Sequence, residues 1–283
     1  MIIDVHTHIG EHPSQINDQF AGEARQAWSE FEVGVTPDQY LQDVLTDIDY
    51  AIVLALNAPP AGFVVTNDDV AQHVARDPSR LVGFGSVDPR DRNSVEELER
   101  MKYDLGFSGC KMGPIYQNVD PLERDFLRVC EALQRLEMPM LIHQGTTFSL
   151  GGPLKYAQPI LLDEIAMRYP QLKIVIAHVG HPWYEDAIAV MRRHRNVFAD
   201  ISALVARPWH LYQILISAVE YRVESKLLFG TDYPYGTART TMDGLRALTG
   251  NAFGPQMPKI DESVVEGIIN RPSFDLLEIA LPS

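Results

Sequence analysis

The run Ile2-Ile3-Asp4-Val5-His6-Thr7-His8-Ile9-Gly10-Glu11 decides how the rest of the chain is read. Its β-branched and apolar residues suit a strand, in which successive side chains point to opposite faces. Strict alternation puts Asp4, His6 and His8 on one face and Ile3, Val5, Thr7 and Ile9 on the other. The same run speaks against one architecture. An open doubly wound sheet wants a glycine-rich phosphate turn after its first strand, and here the chain continues His-Thr-His-Ile-Gly-Glu.

Working outward, short apolar runs lie near 2–9, 50–56, 81–88, 107–113, 139–144, 173–179, 196–202 and 226–232, each closing on polar or glycine residues. Helix signals sit between most of them: Thr66 before 67–77, a capping box Ser94-x-x-Glu97, Asp120-Pro121-x-Glu123, Pro182 opening 183–194 and Pro208 opening 209–222. Such alternation requires parallel strands joined by crossover helices, and eight units in about 250 residues match an α/β fold closed as a (β/α)8 TIM barrel. Residues 1–283 are expected to form a single barrel domain. The stretch between the first two runs and the tail from 237 exceed what a barrel needs, and both are expected to be helical. The first follows a strand's C-terminal end, where barrel active sites sit, and reads as a lid.

Composition narrows the function. The chain has 283 residues, 46% hydrophobic and 22% charged, with a formal net charge of -14. That field repels polyanions, so nucleic acid and anionic membranes are poor partners and a small-molecule substrate is the natural one, with a homodimer compatible. Two cysteines, Cys110 and Cys130, lack metal or disulfide spacing and suit a reducing compartment. No run approaches the roughly 18 apolar residues of a membrane span, and the start lacks an export signal, so the expected location is cytoplasmic.

The polar residues at strand ends carry the chemistry. Two imidazoles aimed into a barrel mouth either bond to core neighbours or share a cation, since burial without a partner costs several kcal/mol. The fifth run ends in His143, the sixth in His178 and the eighth in Asp232, each a lone polar side chain closing an apolar strand. Four strands thus aim ligand-type groups at one point. Imidazoles with a carboxylate suit Zn2+, with Mn2+, Fe2+ or Co2+ as alternatives.

Ile-Asp-Val-His-Thr-His, Leu-Ile-His-Gln-Gly, Ile-Ala-His-Val-Gly-His-Pro-Trp and Leu-Phe-Gly-Thr-Asp-Tyr-Pro resemble the amidohydrolase-related family, whose branches include α-amino-β-carboxymuconate-ε-semialdehyde decarboxylase. The resemblance implies His6, His8, His143 and Asp232 as ligands of one divalent ion, Asp232 also handling a proton, and His178 as an unligated general acid/base. It implies a metal-bound water as nucleophile, and a dication does lower the pKa of bound water to about 7. His178 has the right titration range for that role, with a purely structural histidine as the alternative.

Lys111 ends the fourth strand. In binuclear relatives a lysine there is carboxylated and bridges two ions, with His143 and His178 both on the second. The flanking pattern resembles the decarboxylase branch more closely, so Lys111 is expected unmodified and paired with a substrate carboxylate. Cys110 faces away and packs. Arg207, Arg239 and Arg25 are candidate anion clamps, Arg207 foremost, though most arginines are solvated surface charges. Trp28 and Trp183 are candidate ring-stacking walls or local packing. His181 reads as a loop residue, and Asp200 as a carboxylate that orients a histidine.

The leading expectation is metal-dependent hydrolysis of an amide, ester or lactone bond in a small molecule, carboxylated or not. The alternative is nonoxidative decarboxylation of a small unsaturated or aromatic acid, which uses the same ion and proton carriers. A nuclease of the related DNase branch would want an acidic ligand where Lys111 stands. A catalytically inactive ligand-binding barrel would show a broken ligand set, and this set is unbroken.

Overall fold

The structure, a computed structural model, describes residues 1–27 and 33–282. In chain order its strands are β1 (Ile3–His8), β2 (Tyr50–Leu54), β3 (Leu56–Ala58), β4 (Phe63–Val65), β5 (Leu81–Gly85), β6 (Gly109–Met112), β7 (Met140–Ile142), β8 (Ile174–Ile176), β9 (Val197–Asp200) and β10 (Leu227–Leu228). Eight of them form one sheet in the order β1-β2-β5-β6-β7-β8-β9-β10, and every neighbouring pair is parallel. The sheet curls until β1 meets the chain after β10. Val5 N–H donates to the Phe229 carbonyl (3.0 Å), Asp232 N–H to His6 (2.8 Å) and His8 N–H to Tyr233 (2.8 Å). This closed ring of parallel strands with helices between them is the expected barrel.

Its core has two layers. Ile3, Val5, Ile52, Leu54, Val82, Phe84, Leu141, Val175, Phe198 and Leu228 form one buried cluster drawn from nearly every strand, which is possible only inside the ring. Phe274 and Leu277, from the short helix Ser273–Leu277, join that cluster and plug its lower end. The larger cluster lies between strands and outer helices and takes the alternate residues, among them Ala51, Val53, Cys110, Met112, Met140 and Ile142. Cys110 therefore packs, as expected.

In β1 strict alternation fails. The register against β2 slips between Asp4 and Thr7, so that Val5 and His6 together oppose Ile52. Ile3 and Val5 point into the ring rather than toward the helices, and the parity then changes so that His6 and His8 also line the interior above them. Asp4 instead reaches across the closing seam, accepting from Thr231 N (3.0 Å) and Thr231 Oγ1 (2.7 Å).

Local signals mostly hold. Thr66 caps the helix Asn67–Val74 in a full capping box with Asp69. Pro208 opens Pro208–Tyr221, and the long stretches supply helices Asp18–Ala27 and Pro37–Val44 near the start and Ala238–Arg246 and Glu262–Ile269 near the end. The Ser94 box does not form. Helix Ser94–Tyr103 is capped at Asn93 without a side-chain bond, because Glu97 is drawn to Asn67 and Arg100. The antiparallel hairpin β3–β4 is an addition to the expected elements. Its turn needs Gly62, at φ 78°, since a Cβ there would lie 2.2 Å from Asn17 Oδ1. No described helix is long and apolar enough to cross a membrane.

Candidate active site

At the C-terminal end of the strands lies a cavity of about 270 Å3. His6, His8, Lys111, His143, His178 and Asp232 all line it, so the strand-end residues picked from sequence do converge. His6 Nε2 lies 3.1 Å from His8 Nε2 and 3.1 Å from Asp232 Oδ1, and His8 Nε2 lies 3.5 Å from the same oxygen. Ligand atoms held at 2.0–2.2 Å around one cation stand roughly 3.0–3.6 Å apart, so this triplet fits a metal ion. His178 also offers a nitrogen within 4.8 Å of donor atoms of His6 and Asp232. Distance alone therefore does not separate it from the ligand set. His143 lies on the same wall, its ring 5.1 Å from that of His178, with Nε2 bonded to the Gly145 carbonyl (3.2 Å), which leaves Nδ1 as its lone-pair nitrogen.

The backbone works to aim these groups. His178, Val179 and Asp232 adopt left-handed φ values of 55°, 46° and 60°, which cost L-residues energy and turn the chain sharply at the strand ends. Asp232 is held there by its N–H bond to His6 and by the Asp4–Thr231 clasp one residue earlier.

Burial dominates the electrostatics. It lowers His6 to about 4 and His178 to about 3, with the Lys111 and His6 charges adding respectively, and it pushes His8 and His143 well below the ordinary imidazole range. All four rings are thus neutral and carry lone pairs, the form in which histidine binds metal. Burial raises the Asp232 carboxyl well above the carboxylate range against the pull of Lys111. Asp200 goes the other way. Burial opposes its charge, yet His6, at 2.9 Å from Oδ2, keeps it ionised. Asp200 is therefore the carboxylate that orients a histidine, as the sequence suggests.

Lys111 is 2% exposed, its ammonium 3.1 Å from His6 Nε2, and burial lowers it to about 8 while Asp232 and Asp200 pull it up. Arg207 and His181 line the cavity at its rim. Arg207 donates to the Ala203 carbonyl (3.1 Å), and His181 packs against His210 rather than on the donor cluster. Arg239 is 68% exposed in its side chain and paired with Asp47, so it clamps nothing in the cavity. Arg25 is exposed on its helix, and neither it nor Trp183 lines the site. Trp28 lies outside the described residues. Sequence reading missed the aromatic walls: Phe20 from the helix Asp18–Ala27, Phe63 from β4, Tyr116 from the short helix Pro114–Gln117, and Phe148 and Tyr235 from segments outside strands and helices. Phe20 places the first long insertion against the cavity, where a lid was expected. Also missed was Ser202, although it continues the alternation of β9 two residues past Asp200.

Comparison with known proteins places this geometry in a family. The profile of the family described as Amidohydrolase matches residues 3–264, and the chain belongs to that family. Among curated proteins it is 24% identical over 236 residues to a γ-resorcylate decarboxylase of Polaromonas sp., covering 65% of this chain and 72% of the relative. It is 24% identical over 199 residues to the 2-amino-3-carboxymuconate-6-semialdehyde decarboxylase of Dictyostelium discoideum, covering 60% and 55%. Among solved structures, an uncharacterized TIM-barrel protein of Bordetella bronchiseptica superposes with TM-score 0.77 at 18% identity over 98% of both chains. A probable 2-pyrone-4,6-dicarboxylic acid hydrolase of Acinetobacter baumannii gives 0.69 at 15% over 98% and 99%. A dihydroxybenzoic acid decarboxylase of Polaromonas sp., with manganese and 2-nitroresorcinol bound, gives 0.68 at 18% over 98% and 96%. The chain is an enzyme of the amidohydrolase superfamily, and its curated relatives favour the carboxy-lyase alternative over the hydrolase that led the sequence reading.

Proposed function

We propose that the chain is a metal-dependent, nonoxidative decarboxylase of a small unsaturated or aromatic carboxylic acid. The observation that carries this reading is Lys111, a buried ammonium 3.1 Å from His6 Nε2, facing a cavity walled largely by aromatic rings. A buried cation beside the donor cluster suits a substrate carboxylate, and apolar walls strip that carboxylate of water, which favours its departure as neutral CO2. Arg207, which lines the rim, is the second cationic side chain facing the cavity.

The reaction replaces a carboxylate by hydrogen. The C–C bond to the carboxylate breaks, its electron pair stays on the substrate carbon, and that carbon takes a proton. His6, His8, His143 and Asp232 are the residues that would hold a divalent ion, which when bound supplies a Lewis acid that orients the substrate and stabilises developing negative charge. The nitrogen-rich donor set favours zinc, and manganese in one structural relative supports a divalent ion in general. His178 is committed at Nδ1 to Ser202, so it exchanges protons at Nε2. Asp232, at 3.1 Å from His6 Nε2 and lining the same cavity, is the second proton carrier.

The test is a screen of zinc- or manganese-supplied protein against hydroxybenzoic acids, carboxylated unsaturated acids, lactones and N-acyl compounds. Expected is CO2 release without an oxidant, with deuterium from heavy water appearing at the vacated carbon. Opening of a lactone or amide with no CO2 would replace this reading by the hydrolase.

A further inference from the structure

Asp200, Ser202, His6 and His178 form one buried hydrogen-bonded group whose proton positions are set by which atoms can donate. Asp200 is faced by donors at both oxygens, two of them backbone N–H groups that can only donate, so it acts here as an acceptor. Its Oδ2 lies 2.9 Å from His6 Nδ1, so that nitrogen carries the hydrogen and His6 Nε2 keeps its lone pair. Asp200 Oδ1 accepts from the Ser202 N–H at 3.1 Å, from the His178 N–H at 3.1 Å and from the Ser202 hydroxyl. A hydroxyl has one hydrogen. Once it is given to Asp200, Ser202 Oγ can only accept, and the atoms it faces are His178 Nδ1 at 2.8 Å and His6 Nδ1 at 3.1 Å. His178 Nδ1 also faces the Ser202 carbonyl at 3.1 Å, another pure acceptor.

We infer that Ser202 is a positioning residue: its hydroxyl carries the orientation set by Asp200 across to His178, so that one carboxylate fixes the tautomers of both His6 and His178 with Nε2 of each turned to the cavity. The two rings lie 5.0 Å apart and nearly parallel, at 25°. No charged partner is needed at His178 itself. That separates it from His6, which touches the carboxylate directly, and gives the two neighbouring imidazoles different surroundings from a single acid. The structural part of this inference stands on geometry alone, and only its kinetic part rests on the role proposed for His178.

The two parts are tested separately. In 15N-labelled, zinc-supplied protein, long-range 15N–1H spectra should show both His6 and His178 as Nδ1–H tautomers, with the ring signals assigned through H6N and H178N. In S202A the carbonyl remains as acceptor but the link to Asp200 is cut, so the His178 Nδ1 proton should exchange faster with water while that of His6 is retained. S202T should restore the wild-type spectrum. An Nε2–H tautomer at His178 in the wild type, or an S202A spectrum unchanged from it, overturns the inference. In turnover, S202A should lower kcat about tenfold with KM and metal content unchanged, the scale of one hydrogen bond in a buried network. The loss should vanish when S202A is made in the H178N background, and S202T should recover it. A tenfold loss that persists beside H178N means that Ser202 acts elsewhere. Full activity in H178N alone, with the expected spectra, removes the acid/base role of His178 and leaves the tautomer assignment standing.

Discussion

Replacing Lys111 by Met should make the protein more stable and less active. The side chain is buried, and its ammonium is held to about 8 from an ordinary 10.5, chiefly by desolvation. At 1.36 kcal/mol for each pKa unit, keeping that ammonium charged in the fold costs about 3 kcal/mol at pH 7. Methionine retains most of the stem's packing and removes the charge, so up to about 3 kcal/mol should be recovered, a rise of roughly 6–12 °C in Tm for a chain this size. A divalent ion beside His6 repels the ammonium and acts in the same direction. The folded state binds fewer protons than the unfolded one between pH 8 and 10.5. Raising the pH through that window therefore restores stability to the wild type, and the advantage of the variant disappears. Activity moves oppositely. A charge-assisted hydrogen bond to a substrate carboxylate contributes about 1.5–3 kcal/mol, so kcat/KM should fall roughly 10- to 150-fold. Thermal melts from pH 6 to 10.5 and steady-state kinetics on the substrate found by screening check both halves. A variant that melts below the wild type at pH 7, or one that turns over substrate normally, refutes the reasoning.

Elemental analysis should find close to one divalent ion per chain, and H6A and H8A should each lose it together with the ligand-dependent rise in Tm; two ions with extra mass on Lys111 would indicate the carboxylated, binuclear form. H178N should keep its ion and lose 10²–10⁴ in turnover, whereas loss of the ion would make His178 a ligand. His73 lies 3% exposed with its ring 4.5 Å from that of Tyr40, and burial lowers it to about 4. The unfolded chain therefore takes up a proton near pH 6.5 that the fold refuses until about 4, so up to about 3 kcal/mol of stability should drain away across that interval and not in H73L, as urea unfolding at successive pH values will show.

The barrel was legible because eight apolar runs end on polar residues, a pattern that survives local irregularity. The direction of individual side chains was less so. Strict alternation is the plain expectation for β1, yet the slip between Asp4 and Thr7 brings Ile3, Val5, His6 and His8 all to the interior, and no residue type in Asp-Val-His-Thr announces a bulge. The hairpin β3–β4 did leave a mark, Pro59-Pro60-Ala61-Gly62, a turn between Leu56-Asn57-Ala58 and Phe63-Val64-Val65. Ser94 had the spacing of a cap, but Glu97 found stronger partners in Arg100 and Asn67, a tertiary competition that spacing does not encode. In the site, His6, His8, His143, His178 and Asp232 were visible as strand ends. Phe20, Phe63 and Tyr235 were not, because they come from elements added outside the eight barrel strands, a helix, a hairpin strand and a loop, at positions with no common period.

The seam between β1 and the residues after β10 joins the segments most distant in the sequence, and it is also where His6, His8 and Asp232 meet. Every other strand pair can form between near neighbours as the chain is made, but this contact must wait for the eighth unit and carries the largest loop-closure entropy. Assembly of the donor cluster and closure of the ring are therefore the same late folding event. An ion held there would act as a fastener on the barrel, and without it the amides of Val5, His8 and Asp232, whose hydrogen bonds span the seam, are expected to be the first to exchange with solvent.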